Sequence, residues 1–335
     1  MQLFGEKMQN SLYQHDRKGI THMKKFFALI LAVCLLTCLT SCGGSKLFMA
    51  TGSETGTYYA FGIAFTQVLK DKTGIDIGVQ STGASKANIQ LIDDGEVDLA
   101  IVQNDVMDYA YNGTNTFAAD GAIQSFAAIC TMYPETIQIV ARPEIKSISD
   151  LAGKTVSVGD VGSGTEFNAA QIFEAYGMTF DDIQKQNLGF TDSADKYKDG
   201  QLDAFFVTAG APTVAITELA TTSEFTILSI GAEELAWLQE NYGYYTQYDM
   251  PAGTYENVTE DVTTVAVMAT LICDADLDEE TVYNITKGIY ENLGDITTAH
   301  AKGAELVLEK ATDGISTPMH PGAVKYFTEA GVIAE

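Results

Sequence analysis

Five short segments combine glycines, hydroxyls and amides in a way that can hold a small polar solute. They are Thr51-Gly52-Ser53-Glu54-Thr55-Gly56-Thr57-Tyr58-Tyr59, Ser81-Thr82-Gly83-Ala84-Ser85, Gln103-Asn104-Asp105, Gly162-Ser163-Gly164-Thr165-Glu166 and Thr208-Ala209-Gly210-Ala211-Pro212-Thr213. Four of them stand between a strand-forming run and a helix-forming run, and the third ends the apolar run Leu99-Ala100-Ile101-Val102. Glycine permits the turn, and a helix start offers free N–H groups at the positive end of its dipole. Such a loop can hold a carboxylate without a cationic side chain. The first segment is not a P-loop, because no Lys-Ser or Lys-Thr closes it. Taken singly, each loop is equally well an ordinary turn in which Ser53, Thr55 or Asp105 caps a helix. Five at equivalent positions point to a shared cleft, with Thr51, Gly52, Gly56, Thr57, Tyr58, Ser81, Thr82, Gly83, Gln103, Asp105, Ser163, Gly164, Thr165, Gly210 and Pro212 as the expected ligand-binding residues.

The elements that must position these loops alternate. Strands are expected at 47–50, 75–80 and 99–103, with helices at 57–71 and 85–93 between them. A second set follows, with strands at 154–159, 204–207 and 225–230 and helices at 165–176 and 212–220, the last with Pro212 in its first turn. Residues 242–255 are tyrosine-rich and irregular, 263–272 form a long strand, and helices close the chain at 278–293 and 321–330. This order predicts an α/β fold with a parallel core. Two extended segments serve as crossings between lobes, at 138–142 and 254–257. Lobe one is then 47–137 with 258–335, and lobe two is 143–253. A ligand would sit between them, where strands end and helices begin.

The start of the chain carries an address. Lys24 and Lys25 precede an apolar run, 26–39, that ends in Leu39-Thr40-Ser41-Cys42. That run falls short of the roughly 20 residues needed to span a bilayer and has the layout of a secretory signal. Residues 1–22 are then an upstream extension, 23–41 the signal and 42–46 a flexible tether. The segment resembles the bacterial lipoprotein box, which implies acylation of Cys42 and a lipid-anchored body on the extracytoplasmic face of the cytoplasmic membrane. Removing 1–41 takes away five basic and two acidic residues and moves the formal charge from −26 to −29. Such a balance repels nucleic acid and anionic lipid. Cys130 and Cys273 lie in apolar runs and are expected as buried free thiols, a disulfide being the alternative. No Cys/His cluster suggests a metal and no motif calls for a cofactor; a monomer is expected.

Taken together, several segments resemble the TAXI solute-binding subunits of TRAP transporters. They are Thr51-Gly52 with Gly56-Thr57-Tyr58-Tyr59, Ser81-Thr82-Gly83-Ala84-Ser85 with Asn88, Gly95-Glu96-Val97-Asp98-Leu99-Ala100-Ile101-Val102-Gln103 and Gly162-Ser163-Gly164-Thr165. Gly200-Gln201-Leu202-Asp203-Ala204-Phe205-Phe206, Gly210 with Pro212, and His320-Pro321-Gly322-Ala323 with Tyr326 extend the match over nearly the whole mature chain. The resemblance implies a two-lobe type II periplasmic-binding-protein fold with a hinge and an inter-lobe ligand cleft. It also implies capture of a solute such as glutamate, glutamine or 2-oxoglutarate for a sodium-coupled membrane permease. Many binders of the wider TRAP group clamp a carboxylate with arginine. Here the mature chain holds one arginine, Arg142, beside Pro143, where a structural or surface role is expected. His320 is expected to cap the last helix, and Trp237 to lie in the core. An enzyme is not expected, since only His300 and His320 remain in the mature chain and no Gly-x-Ser-x-Gly elbow occurs. A ligand-sensing surface lipoprotein and an ABC-importer binding protein are the alternatives.

Overall fold

The run Leu99-Ala100-Ile101-Val102-Gln103 forms a strand buried along its whole length, as a central strand covered on both faces must be. Around it the computed structural model describes residues 46–256 and 258–334. The expected signal, Cys42 and all of the tether but Lys46 lie outside the described residues.

In chain order the first elements are β1 (Leu47–Ala50), α1 (Thr57–Thr73), β2 (Ile77–Gln80), α2 (Ser85–Asp93), β3 (Leu99–Gln103), α3 (Asn104–Asn112) and β4 (Phe126–Ala141). Then come β5 (Thr155–Ser157), α4 (Gly164–Ala175), β6 (Gln184–Gln186), α5 (Phe190–Lys198), β7 (Ala204–Ala209), α6 (Val214–Ala220), β8 (Thr226–Ile227) and α7 (Ala232–Asn241). The last are β9 (Thr246–Met250), β10 (Val262–Asp274), α8 (Glu279–Glu291), α9 (Leu293–Ala299) and α10 (Pro321–Glu329). Sequence chemistry explains several ends. Gly74 takes φ +79° and returns its N–H to Lys70 O, closing α1. Pro321 starts α10 and His320 Nδ1 accepts the Gly322 N–H at 3.2 Å, as expected for that histidine.

The strands run β2-β1-β3-β10-β4-β7-β5-β6, with β8 on β4 and β9 on β10. β1 is parallel to β2 and β3, and β5 is parallel to β6 and β7. These parallel trios need helical crossovers, which α1, α2, α4 and α5 provide. β4 and β10 pair antiparallel with each other and pass from one trio to the other.

The core divides along these two long strands. Ile129 and Tyr133 of β4 pack with Phe61, Phe65, Ile285 and Phe327, whereas Ile137 and Ile139 pack with Phe173, Phe206 and Leu238. On β10, Val265 and Val267 belong to the second cluster and Ala269 and Leu271 to the first. Ile139, Ala141 and Tyr255, taken from sequence as crossing residues or their neighbours, are buried in the clusters of the second lobe. The pairing of β10 with β4 shifts register between Met268 and Thr270 and again between Leu271 and Ile272. Such bulges bend a strand locally.

Several expectations are corrected. Residues 126–130 and 137–141 belong to one sixteen-residue strand, which ends before Arg142. Pro134 interrupts the sequence signal but is tolerated beside the irregular pairing at Met268. Residues 242–255 contain β9, held by pairing with β10. Pro212 precedes α6 rather than starting it; Thr213 is the N-cap, and its hydroxyl takes the Gln138 Nε2 hydrogen at 3.0 Å. Strands expected at 154–159 and 225–230 shorten to Thr155–Ser157 and Thr226–Ile227. Trp237 is half-buried against the second lobe rather than fully within it. Arg142 donates from Nε to Leu202 O at 3.2 Å and stacks 3.9 Å from the Tyr197 ring centre, a structural role. Cys130 and Cys273 are free and buried, and burial pushes the Cys130 thiol up to about 12.

Candidate functional site

Where the two lobes meet, a cavity is lined by Gly52, Ser53, Gly56, Thr57, Tyr58, Ala84, Ser85 and Gln103 from the first lobe. Asp160, Ser163, Gly164, Thr165, Phe190, Thr208 and Ala209 face it from the second, and Glu135 from β4. Helix starts converge here, from α1 after Gly56, α2 after Ala84, α4 after Ser163 and α5 after Gly189. Ala84 holds φ +68°, a left-handed backbone in a residue other than glycine, of the kind found around ligand sites. The lobes touch around the rim. Thr57 Oγ1 donates to Gly210 O at 2.9 Å, and the Thr55 and Thr191 hydroxyls lie 3.0 Å apart. Gln103 crosses from β3 to Gly164, whose missing Cβ would stand 1.7 Å from Gln103 Oε1.

The cavity wall contains acids and no lysine or arginine. Burial drives the Glu135 carboxyl well above the usual carboxylate range; the Tyr58 hydroxyl, donating to Oε1 at 2.5 Å, offsets this only in part. Tyr58 is itself raised well above its ordinary value, by burial first and then by Glu135. Asp160 is raised by burial and by Asp192.

Behind the cavity a buried network joins the lobes. Asn168 Nδ2 of α4 donates to Asp105 Oδ2 at 3.1 Å and to the Tyr245 hydroxyl at 2.9 Å. Thr208 Oγ1 donates to Asn168 Oδ1 at 3.0 Å, and Gln171 Nε2 donates to the Tyr109 hydroxyl at 3.0 Å. Asp105 also accepts the Val106 N–H at 2.8 Å. Burial nevertheless lifts its carboxyl from 3.8 to about 6. The folded value lies above the unfolded one, so its contribution to stability is full below pH 3.8 and lost as pH rises through about 6. Above that range the ionised carboxylate costs roughly 3 kcal/mol relative to acid. Asp105→Asn should therefore shrink the fall in stability between pH 4 and pH 7, read from denaturant midpoints at each pH. An unchanged pH profile in the variant would show that Asp105 does not titrate in this window.

Residues 49–331 match the NMT1-like family. The chain belongs to the NMT1-like family. Among solved structures it is similar to a periplasmic transporter at 12% identity and TM-score 0.53, covering 87% of this chain and 94% of that one. It is similar to a protein of Bordetella bronchiseptica RB50 at 16% identity and TM-score 0.50, covering 87% and 90%. The alkanesulfonate-binding protein SsuA of Xanthomonas axonopodis pv. citri, bound to MOPS, matches at 12% identity and TM-score 0.48, covering 86% and 85%. The first two likenesses show the fold alone, a mixed α/β one in two lobes.

In this NMT1-like chain the expected site residues separate into three groups. Gly52, Gly56, Thr57, Tyr58, Gln103, Ser163, Gly164 and Thr165 line the cavity. Thr51, Ser81 and Thr82 brace it from behind and Gly210 meets Thr57 at its rim: Ser81 Oγ donates to Gly52 O at 2.8 Å and Thr82 Oγ1 to Thr51 O at 2.9 Å. Gly83 and Pro212 do not line it, and Pro212 is exposed. Asp105 is not in the cavity either; it turns back to the network with Asn168. The sequence reading missed Glu135, Asp160 and Phe190. Glu135 had a signal, a single acid inside an otherwise uncharged run from 126 to 141. Asp160 and Phe190 had none, because the cavity takes them from separate loops. His300 caps a short 3-10 segment by accepting the Lys302 N–H at 3.1 Å, and His320 caps α10; neither lines the cavity. Among the described residues no group of His, Cys, Asp and Glu could hold a metal, and no helix is long and apolar enough to cross a membrane.

Proposed function

We propose that this chain is an extracytoplasmic solute-binding protein that captures a small organic solute and presents it to a membrane importer. One observation carries the reading: a cavity enclosed by both lobes, on which several helix starts converge without any lysine or arginine. Free N–H groups and hydroxyls suit a carboxylate-bearing solute, and a glutamate-, glutamine- or 2-oxoglutarate-like molecule is the leading class. β4 and β10 act as the hinge, bending between Tyr133 and Ile137 and at the bulges beside Met268, so that closure buries the solute. Membership of the NMT1-like family supports an ABC-type importer as the partner. The motif resemblance to TAXI subunits supports a TRAP permease instead. A lipid anchor at Cys42 fits either partner.

The test is thermal unfolding of the full chain, refolded to strip carried solute, against small acids, amino acids, sulfonates and phosphonates. A ligand at one hundred times its dissociation constant stabilises the native state by about 2.7 kcal/mol. A shift confined to one or two related compounds supports the reading and names the class. No shift from any compound, in protein shown to be folded and empty, removes it. Titration of the loaded and empty protein with reconstituted ABC or TRAP permease then separates the two partners.

A further inference from the structure

The cavity wall holds an acid for which the fold supplies no counter-charge. Glu135 is 1% exposed, lines the cavity and accepts the Tyr58 hydroxyl at 2.5 Å. Among the described residues no lysine, arginine or histidine nitrogen pairs with it within 4.0 Å. The groups that face it are Tyr58 from α1, Tyr133 on β4 itself, Asp105 from α3, and Lys302 in the 3-10 segment Ala301–Glu305. Lys302 is already committed, with Nζ 2.6 Å from Glu305 Oε1. Asp105 disfavours charge on Glu135, and Lys302 favours it from a distance. A carboxyl so enclosed is held either as the neutral acid or against a cation.

A second group on the same wall is also incomplete. Gln103 Oε1 is fully buried and has no hydrogen-bond partner, although buried acceptors are nearly always paired. Two acceptors on one small cavity, one of them able to carry a full negative charge, are complemented by a group with several N–H donors and a positive charge. Four helix starts on the remaining walls are complemented by an anion.

We propose that Glu135 and Gln103 form the seat for a protonated primary amine on the solute, and that its arrival expels the proton of Glu135. The exchange balances as Glu135–COOH plus R–NH3+ giving the Glu135 carboxylate–ammonium pair and one H+ released to solvent. The site then selects amino-acid-type zwitterions over keto and hydroxy acids of the same skeleton. This rests on the solute-binding reading above and narrows it.

The experiment is isothermal calorimetry of the full chain at pH 6 to 8, in buffers of different ionisation enthalpy. The probes are matched sets: L-glutamate, 2-oxoglutarate and L-2-hydroxyglutarate, then L-aspartate, oxaloacetate and L-malate. The expected result is binding by an amino member, with about one proton released per solute and affinity rising nearly tenfold per pH unit while free Glu135 is protonated. Glu135→Gln keeps an acceptor for Tyr58 and should abolish the release while weakening amine binding roughly 100-fold. If that variant fails to fold, the wild-type proton count decides. Binding of an amino acid without proton release, or equal binding of its keto or hydroxy partner, overturns the proposal and leaves the solute-binding reading intact. Silence from every probe overturns the amine seat together with the carboxylate-solute reading.

Discussion

Gly164→Ala is expected to weaken solute binding by roughly 5- to 100-fold while moving the unfolding midpoint little. A Cβ at this position would lie 1.7 Å from Gln103 Oε1 and 2.3 Å from Gln103 Cδ. Overpacking of this kind costs about 1–3 kcal/mol, and each 1.4 kcal/mol is about tenfold in affinity. The strain exists only while the lobes meet, because Gln103 ends β3 in the first lobe and Gly164 starts α4 in the second. Opening the cleft relieves it, so the cost falls on closure, and therefore on capture, rather than on folding. Calorimetric titration beside a thermal melt separates the two. Wild-type affinity in the variant would mean that the contact between Gln103 and Gly164 is absent from the bound state.

Asn88→Ala is expected to remove about 3 kcal/mol of stability and to disorder the cleft loops with it. Asn88 is fully buried; its Nδ2 donates to Thr51 O at 2.6 Å and to Ile101 O at 2.8 Å. Its Oδ1 shares the Thr82 hydroxyl hydrogen with Thr51 O. One side chain thus ties the ends of β1 and β3 to the loop before α2, and alanine takes the side-chain donor from Ile101 O and leaves Thr51 O only the Thr82 hydroxyl. Each buried acceptor left short of a donor costs about 1–3 kcal/mol. Denaturant unfolding gives the stability, and solute titration shows whether the loops keep their shape. A loss below about 1 kcal/mol would mean that the carbonyls find other partners.

These residues differ in how far they could be read in advance. Asn88, three positions into α2, was legible only as part of a motif, because its partners are 37 and 13 residues away. Gly52, Gly56 and Thr57, which line the cavity, were legible only through the recurrence of such loops, since one loop alone is equally well an ordinary turn. Asp105 looked like a member of the same cluster. It turns out of the cavity because Asn168, on the other lobe, offers it an N–H donor that no local pattern announces.

By itself the sequence determined the alternation of strands and helices, the loops between them and hence the α/β class, because hydrophobic period and turn chemistry act over a few residues. It also indicated that the loops themselves carry no arginine, since Arg142 stands apart from every one of them. The tertiary structure alone decided that β4 continues through Pro134, that the stretch after Tyr242 adds a strand to β10, and that Glu135 faces Gln103 and four helix starts across one cavity. Those outcomes depend on pairing between separate segments, from 12 to 20 positions apart for β9 and β10 to more than a hundred for β4 and β10. Which groups surround a carboxyl, and whether a cation is among them, is set by those pairings.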